Sequence, residues 1–269
     1  MKQKTFHIIT IGCAMNKSDS ERIAGFMKGL GFAENQTRSL ADFVFINTCG
    51  VRQSAEDRIF GFIPDIRKNN KKVKIIITGC LSKRKDVIRR IKDKVDYIIP
   101  IQEISKISIY LANLKKQTRK NSIKLPITNH QLPNNNYLNI KPDYDLKFMA
   151  YVPIGNGCDN YCSYCVVPYA RGREVYRSFS EILKEAKKLI NNGYKEINLI
   201  AQNVNSYKSG SKDFADLLEE INKIKGEFWI RFTTSHPKDM SDKLILVIAR
   251  GEKICKHIHL PVQTGDNEI

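Results

Sequence analysis

Three stretches constrain the fold most: FHIITIGC (6–13), FVFINTC (43–49) and KIIITGC (74–80), each a short apolar, β-branched run ending one or two residues before a cysteine. Such runs, closed by Gly or Asn-Thr, read as buried strands, and YIIP (97–100) makes a fourth. Between them apolar residues recur at three or four positions, predicting helices over 18–30, 54–68 and 81–92. Strand alternating with helix gives right-handed βαβ units and a parallel sheet. Cys13, Cys49 and Cys80 lie 36 and 31 residues apart, close to one such repeat, so each takes an equivalent place in successive units. The carboxyl ends of parallel strands share one edge, where ligands bind, and three thiols distant in sequence therefore converge. Gly12 and Gly79 suit close turns around something bulky.

Any one of these cysteines could be a small buried hydrophobe. Three in matched positions argue for ligands. With no histidine near, they make an incomplete structural zinc site, and an iron–sulfur cluster with one open iron fits better. Seven cysteines, clustered or placed after apolar runs, do not read as a disulfide framework but as reduced thiols in a cytoplasmic protein. The start, MKQKTFHIITIGC, mimics a lipoprotein signal, but FHIITI is shorter than the ~7–15 residues of a signal core. No apolar run nears the ~20 residues of a membrane span, so a soluble chain with no membrane partner is expected.

The 269 residues are enough for two domains. Residues 1–115 form the first in this reading. The Asn-, Lys- and Pro-rich stretch 116–147 reads as a linker. A second β/α series fills 148–269: strands 148–154, 196–201, 228–233 and 256–260 with helices 180–192, 213–225 and 241–250 between them. The fold class expected is α/β, a doubly wound parallel-sheet domain followed by an incomplete β/α barrel, since the series breaks off after its fourth strand.

After the first barrel strand comes GNGCDNYCSYC (155–165), with Cys158, Cys162 and Cys165 and with Tyr164 before the last. This resembles the cluster loop of the radical S-adenosylmethionine (SAM) superfamily, C-x3-C-x-aromatic-C. The resemblance implies a 4Fe-4S cluster on the three thiolates, its fourth iron chelated by SAM. Zinc is the competing reading, with no second C-x2-C or histidine pair to complete it. The two cysteine triads together resemble the radical SAM methylthiotransferases, over nearly the whole chain. NTCGVRQSAEDRIFG (47–61), YCVVPYARGRE (164–174, with Arg171 and Arg173), AQNVNSY (201–207), RFTTSHP (231–237) and HLPVQTG (259–265) are similar to the branch acting on isopentenyladenosine in tRNA.

That resemblance implies two 4Fe-4S clusters, one on Cys158, Cys162 and Cys165 and an auxiliary one on Cys13, Cys49 and Cys80 that delivers sulfur. SAM would serve as radical source and methyl donor, tRNA as substrate, and a flavodoxin or ferredoxin as electron donor to a monomeric enzyme. The reaction implied is methylthiolation of adenine carbon 2 of isopentenyladenosine at position 37 of tRNA. The alternatives are methylthiolation of threonylcarbamoyladenosine or of a ribosomal protein, or a non-catalytic iron–sulfur protein that binds RNA or senses redox state. Ala201 stands where relatives are expected to have Gly. The family continues beyond the point where this sequence stops, so a fragment or a degenerate protein is expected.

Barrel chemistry sits at the carboxyl ends of strands. Gln202, Asn203 and Asn205, then Ser235 and His236, then Gln263 are candidates for SAM or base contacts, together with Tyr164 of the loop. His257 and His259, two apart, read as packing rather than a metal pair, Cys255 as buried, and Trp229 and Phe232 as barrel core. The net charge of +17 suits an RNA partner. It concentrates in residues 67–94, with 12 Lys+Arg against Asp86 and Asp93, and in 104–142, with seven and no acid.

Overall fold

The computed structural model describes residues 3–107 and 136–266, and the chain clusters into two compact units. The first comprises residues 1–143 together with 163–171; the second comprises 144–162 and 172–269.

In the first unit β1 (Thr5–Ile11), α1 (Ala14–Gly29), β2 (Ala33–Glu34), β3 (Phe43–Thr48), α2 (Gln53–Asn69), β4 (Lys74–Gly79), α3 (Lys85–Ile91) and β5 (Tyr97–Ile98) follow in order. The strands form one parallel sheet ordered β2-β1-β3-β4-β5. Apolar side chains cover both faces: Val44, Ile46, Ile75 and Ile77 pack with Ile59, Ile63 and Ile66 of α2, while Phe6, Phe43, Phe45 and Ile76 pack with Ile23 and Met27 of α1. Helices on both faces explain the continuous β-branched runs.

Four details differ from the sequence expectation. α1 begins at Ala14, four residues before the expected start, because the Cys13 N–H donates to Asn16 Oδ1 (3.3 Å) and closes the first turn with polar atoms that an apolar period does not register. Residues Cys80–Lys83 are a 3-10 turn rather than the start of α3, and β2 was not foreseen. In the stretch read as a linker, Asn136–Asn139 form a 3-10 turn that buries Tyr137 and Leu138 in the first unit's core. Residues 116–135, and most of the basic run 104–142, lie outside the described residues.

Residues 163–171, which include the short helix α4 (Val167–Arg171), cluster with this first unit. The second unit holds β6 (Met149–Pro153), a β7 (Gly155–Asn156) and β8 (Val175–Tyr176) pair, α5 (Phe179–Asn191), β9 (Glu196–Ile200), a β10 (Lys208–Ser209) and β11 (Lys212–Asp213) hairpin, α6 (Phe214–Asn222), β12 (Trp229–Thr233) and α7 (Asp242–Arg250). β6, β9 and β12 make a parallel sheet ordered β12-β9-β6, a partial, unclosed barrel wall. The expected strand 256–260 does not form. Ile254 makes a single parallel bridge to Ile230, and beyond it the backbone is irregular and exposed, so the sheet has three strands rather than four. Phe232 is core as expected, but Trp229 faces outward, 53% exposed, since alternate residues of β12 point to opposite faces.

Candidate functional site

The register of the first sheet explains where the first three cysteines go. Ile11 of β1 pairs with Thr48 of β3, which pairs with Gly79 of β4. Cys49 and Cys80 are the next residues on adjoining strands, and Cys13 lies two beyond Ile11. The chain segments touch: a Cβ on Gly12 would stand 3.1 Å from Cys49 Cβ, and one on Gly50 would stand 3.0 Å from the Cys80 carbonyl carbon. Cys49 and Cys80 are buried and Cys13 is exposed, all as free thiols. Among the described residues no three His, Cys, Asp or Glu side chains converge on a single metal ion.

Behind this edge the interior is polar. Asn47 Nδ2 donates to Ser20 Oγ (2.9 Å) and to the Asn16 carbonyl (2.7 Å), while Asn16 Nδ2 donates to Asn47 Oδ1 (3.0 Å). Ser20 and Thr10 share a hydrogen bond of 2.7 Å, and Ser82 Oγ donates to the Gly79 carbonyl (2.6 Å). The Val51 N–H donates to Cys49 Sγ (3.3 Å). Asp19 and Arg171, each 1% exposed, form an ion pair of 2.7 Å. Arg22, also fully buried, donates to Ser18 Oγ and the Leu138 carbonyl. Burial pushes the Asp19 carboxyl up, against the pull of Arg171 and Arg22. A guanidinium keeps its proton, so the cation is the fixed member of the pair. Burial likewise pushes the Tyr137 phenol up. Sequence reasoning passed over Asp19 and Arg22. Their burial rests on partners distant in sequence, Arg171 and the Leu138 carbonyl, which leave no local signal.

In the second unit the loop after β6 begins with Gly157, whose φ is +87°. A Cβ there would lie 2.0 Å from the Arg173 carbonyl oxygen, so only glycine fits. The Gly157 N–H donates to Gln202 Oε1 (2.6 Å) and the Cys158 N–H to the Gly172 carbonyl (3.2 Å). Cys158 is buried and Cys162 half-buried; Cys165, half-buried, and Tyr164, 71% exposed, fall in the segment that clusters with the first unit. Pro153 of β6, Ile200 of β9 and Thr233 of β12 share one register line, so Gln202, Asn203, Asn205 and Ser235 all follow the same carboxyl edge. Asn205 closes a two-way bond with the His236 backbone (2.9 Å each way), and Asn203 Nδ2 donates to Asp239 Oδ2 (2.7 Å). The buried Asn203 Oδ1 and Ser235 Oγ make no hydrogen bond among the described residues. Thr234, between β12 and Ser235, has φ +72°, a strained backbone at the same edge. Gln263 is not gathered to a strand end, because the strand expected before it is absent; it is exposed. His257 and His259 are exposed and Cys255 is half-buried, its thiol pushed up by burial. No helix among the described residues is long and apolar enough to cross a membrane.

The comparisons divide the chain in the same order. Residues 5–100 match the uncharacterized protein family UPF0004, and residues 152–269 match the radical SAM superfamily. The tRNA-2-methylthio-N(6)-dimethylallyladenosine synthase of Clostridium novyi (strain NT) is 42% identical over 275 residues, covering 99% of this chain and 60% of that protein. The protein of the same name from Carboxydothermus hydrogenoformans is 38% identical over 281 residues, 100% and 62% of the two chains. The chain thus spans about 60% of the length of these curated relatives. Among solved structures, the radical SAM methyltransferase TsrM of Kitasatospora setae, with tryptophan and a SAM analog bound, superposes with a TM-score of 0.67 at 12% identity, over 99% of this chain and 60% of that one. A second TsrM structure, with cobalamin and a [4Fe-4S] cluster, gives 0.64 at 12% over 97% and 59%. At that identity the likeness shows the fold alone. Residues 152–269 thus belong to the radical SAM superfamily, and a UPF0004 stretch, residues 5–100, lies ahead of them.

Proposed function

We propose that the protein containing this chain methylthiolates carbon 2 of isopentenyladenosine at position 37 of tRNA. The observation that carries this reading is identity of 38–42% across essentially the whole chain to synthases named for that modification. Superfamily membership implies SAM and an iron–sulfur cofactor.

The finer assignment is two 4Fe-4S clusters, one on Cys158, Cys162 and Cys165 and one on Cys13, Cys49 and Cys80. The donor chemistry fits: soft thiolates without histidine suit iron–sulfur clusters, and Cys13, Cys49 and Cys80 follow adjoining or nearby strand ends. When bound, SAM and the clusters supply the radical, the sulfur and the methyl group. The protein's share is placement. Gly157 and Gln202 fix the backbone entering the loop of Cys158, and the bonds of Asn203 and Asn205 hold the neighbouring strand ends together. The orphaned Asn203 Oδ1 and Ser235 Oγ are polar atoms that a bound SAM or base would satisfy. Tyr164 and Gln263 belong to the same assignment on the family pattern. A flavodoxin- or ferredoxin-type donor, a monomeric state and a cytoplasmic site complete it.

Mass analysis of tRNA nucleosides from a strain lacking the gene tests the reading. Loss of the methylthio nucleoside with accumulation of isopentenyladenosine is expected. An unchanged nucleoside profile refutes it.

A further inference from the structure

Arg171 closes α4, six residues after Cys165, yet its side chain is spent within the first unit. Its main chain is pinned there: Gln102 Nε2 donates to the Arg171 carbonyl (3.1 Å). Its NH2 group pairs with Asp19 at 2.7 Å, and its Nε–H donates to Cys80 Sγ at 3.0 Å. A thiol is a weak acceptor and a cluster-bound thiolate a strong one, so this donor is already aimed at the sulfur that a cluster would use.

The charge balance points the same way. A fully buried guanidinium is costly unless paired, and Asp19 stands between two of them, Arg171 and Arg22. These three carry one excess positive charge beside the Cys80 sulfur. A cluster held by three thiolates would bring negative charge to that spot.

We propose that Arg171 is a positioning residue for the auxiliary cluster: clamped by Asp19, it orients the Cys80 thiolate through an Nε–H···Sγ bond and offsets the negative charge of the cluster that Cys80 helps to hold. This rests on the reading of Cys13, Cys49 and Cys80 as cluster ligands. The rigid guanidinium fork faces a carboxylate and a sulfur in fixed directions at once, whereas a lysine ammonium, a point charge on a flexible stem, fixes neither direction.

Adding an electron to a cluster adds negative charge, so the two partners should act on its potential with opposite signs. The test uses the full-length protein with Cys158, Cys162 and Cys165 replaced by Ala, reconstituted with iron and sulfide, leaving one cluster to observe. Dithionite titration followed by electron paramagnetic resonance reads its midpoint potential. Arg171→Gln should disfavour reduction about tenfold, ~59 mV for a one-electron couple. Arg171→Lys should shift it in the same direction by less, and Asp19→Asn should shift it the other way. A change under about twofold for Arg171→Gln in protein that keeps its four irons overturns the proposal. So does the same sign for Arg171→Gln and Asp19→Asn. Should Arg171→Gln not fold, arginine-specific 15N labelling of the protein with Arg171 intact decides: a guanidinium nitrogen coupled to the reduced cluster is expected, and its absence overturns the proposal. If that protein binds no cluster at all, the ligand assignment of the first triad has failed, and the proposal falls with it by a result distinct from the others.

Discussion

Gly157 and Gly193 form a controlled pair, because both have φ +87° but only one is crowded. Gly193 ends α5 with nothing within 4 Å of an added Cβ. Replacing it with Ala costs only the left-handed backbone, about 1–2 kcal/mol, less what the stiffer unfolded chain returns. At Gly157 the same Cβ would stand 2.0 Å from the Arg173 oxygen, 2.5 Å from the Arg173 carbon and 2.6 Å from the Gly172 oxygen. Those atoms are backbone, so the strand pair β7 and β8 must part, and overpacking of this kind adds about 1–3 kcal/mol. The shift also threatens the bonds from Gly157 to Gln202 and from Cys158 to Gly172. Gly193→Ala should therefore lower Tm by at most ~2–8 °C and Gly157→Ala by up to ~4–20 °C, at about 2–4 °C per kcal/mol for a chain of this size. Calorimetry of the two single variants and the double variant gives the steric part as the difference. Equal Tm losses for the two would refute the claim that the loop carrying Cys158 is built on contact with residues 172–173.

Cys162→Ala should abolish reductive cleavage of SAM, whereas Cys49→Ala should keep that cleavage and lose the methylthio product; iron should fall in each from roughly eight to roughly four per chain, and normal iron and product in Cys49→Ala would reduce the first triad to packing. Asp96 is raised by burial but lowered further by Lys74, the Ile75 N–H and Arg67, so its folded pKa lies below the ordinary carboxylate range. Its stabilising contribution is complete above the unfolded value of about 3.9 and is lost as pH falls through the folded one, so denaturation followed between about pH 5 and pH 2 should show an acid limb that Asp96→Asn shortens. Arg89 and Arg90 are both exposed on α3, but Arg90 pairs with Glu56 at 3.0 Å; if α3 meets tRNA, Arg89→Glu should reduce the salt dependence of binding by about one phosphate contact, and an unchanged slope would assign this face to bare surface.

The parallel order of the first unit was legible because strands covered on both faces are uniformly apolar, and the matched cysteine positions followed from the βαβ repeat. That residues 202–205 and 235 follow strand ends was legible because strand ends are fixed once strands are. Asp19, Arg22 and Arg171 were not, since their burial depends on partners up to 152 positions away, and a charged residue in a helix reads as a solvated face until its neighbour is known. The strand expected over 256–260 failed for a related reason. A β-strand takes its form from its neighbours, and here pairing amounts to one bridge at Ile254. Trp229 misled because apolarity was weighed without the alternation of the strand carrying it.

The return of residues 163–171 to the first unit bears on the order in which the chain can be completed at the ribosome. Asp19, Arg22 and Cys80 emerge early, but the guanidinium that pairs with Asp19 follows 28 positions after the last contiguous residue of that unit, Asp143. At about 5–20 residues per second this is a wait of roughly 1–6 s, during which a buried carboxylate lacks its partner. For the same reason, cutting after residue 143 removes one side of the buried Asp19–Arg171 pair, an expected loss of about 3–5 kcal/mol.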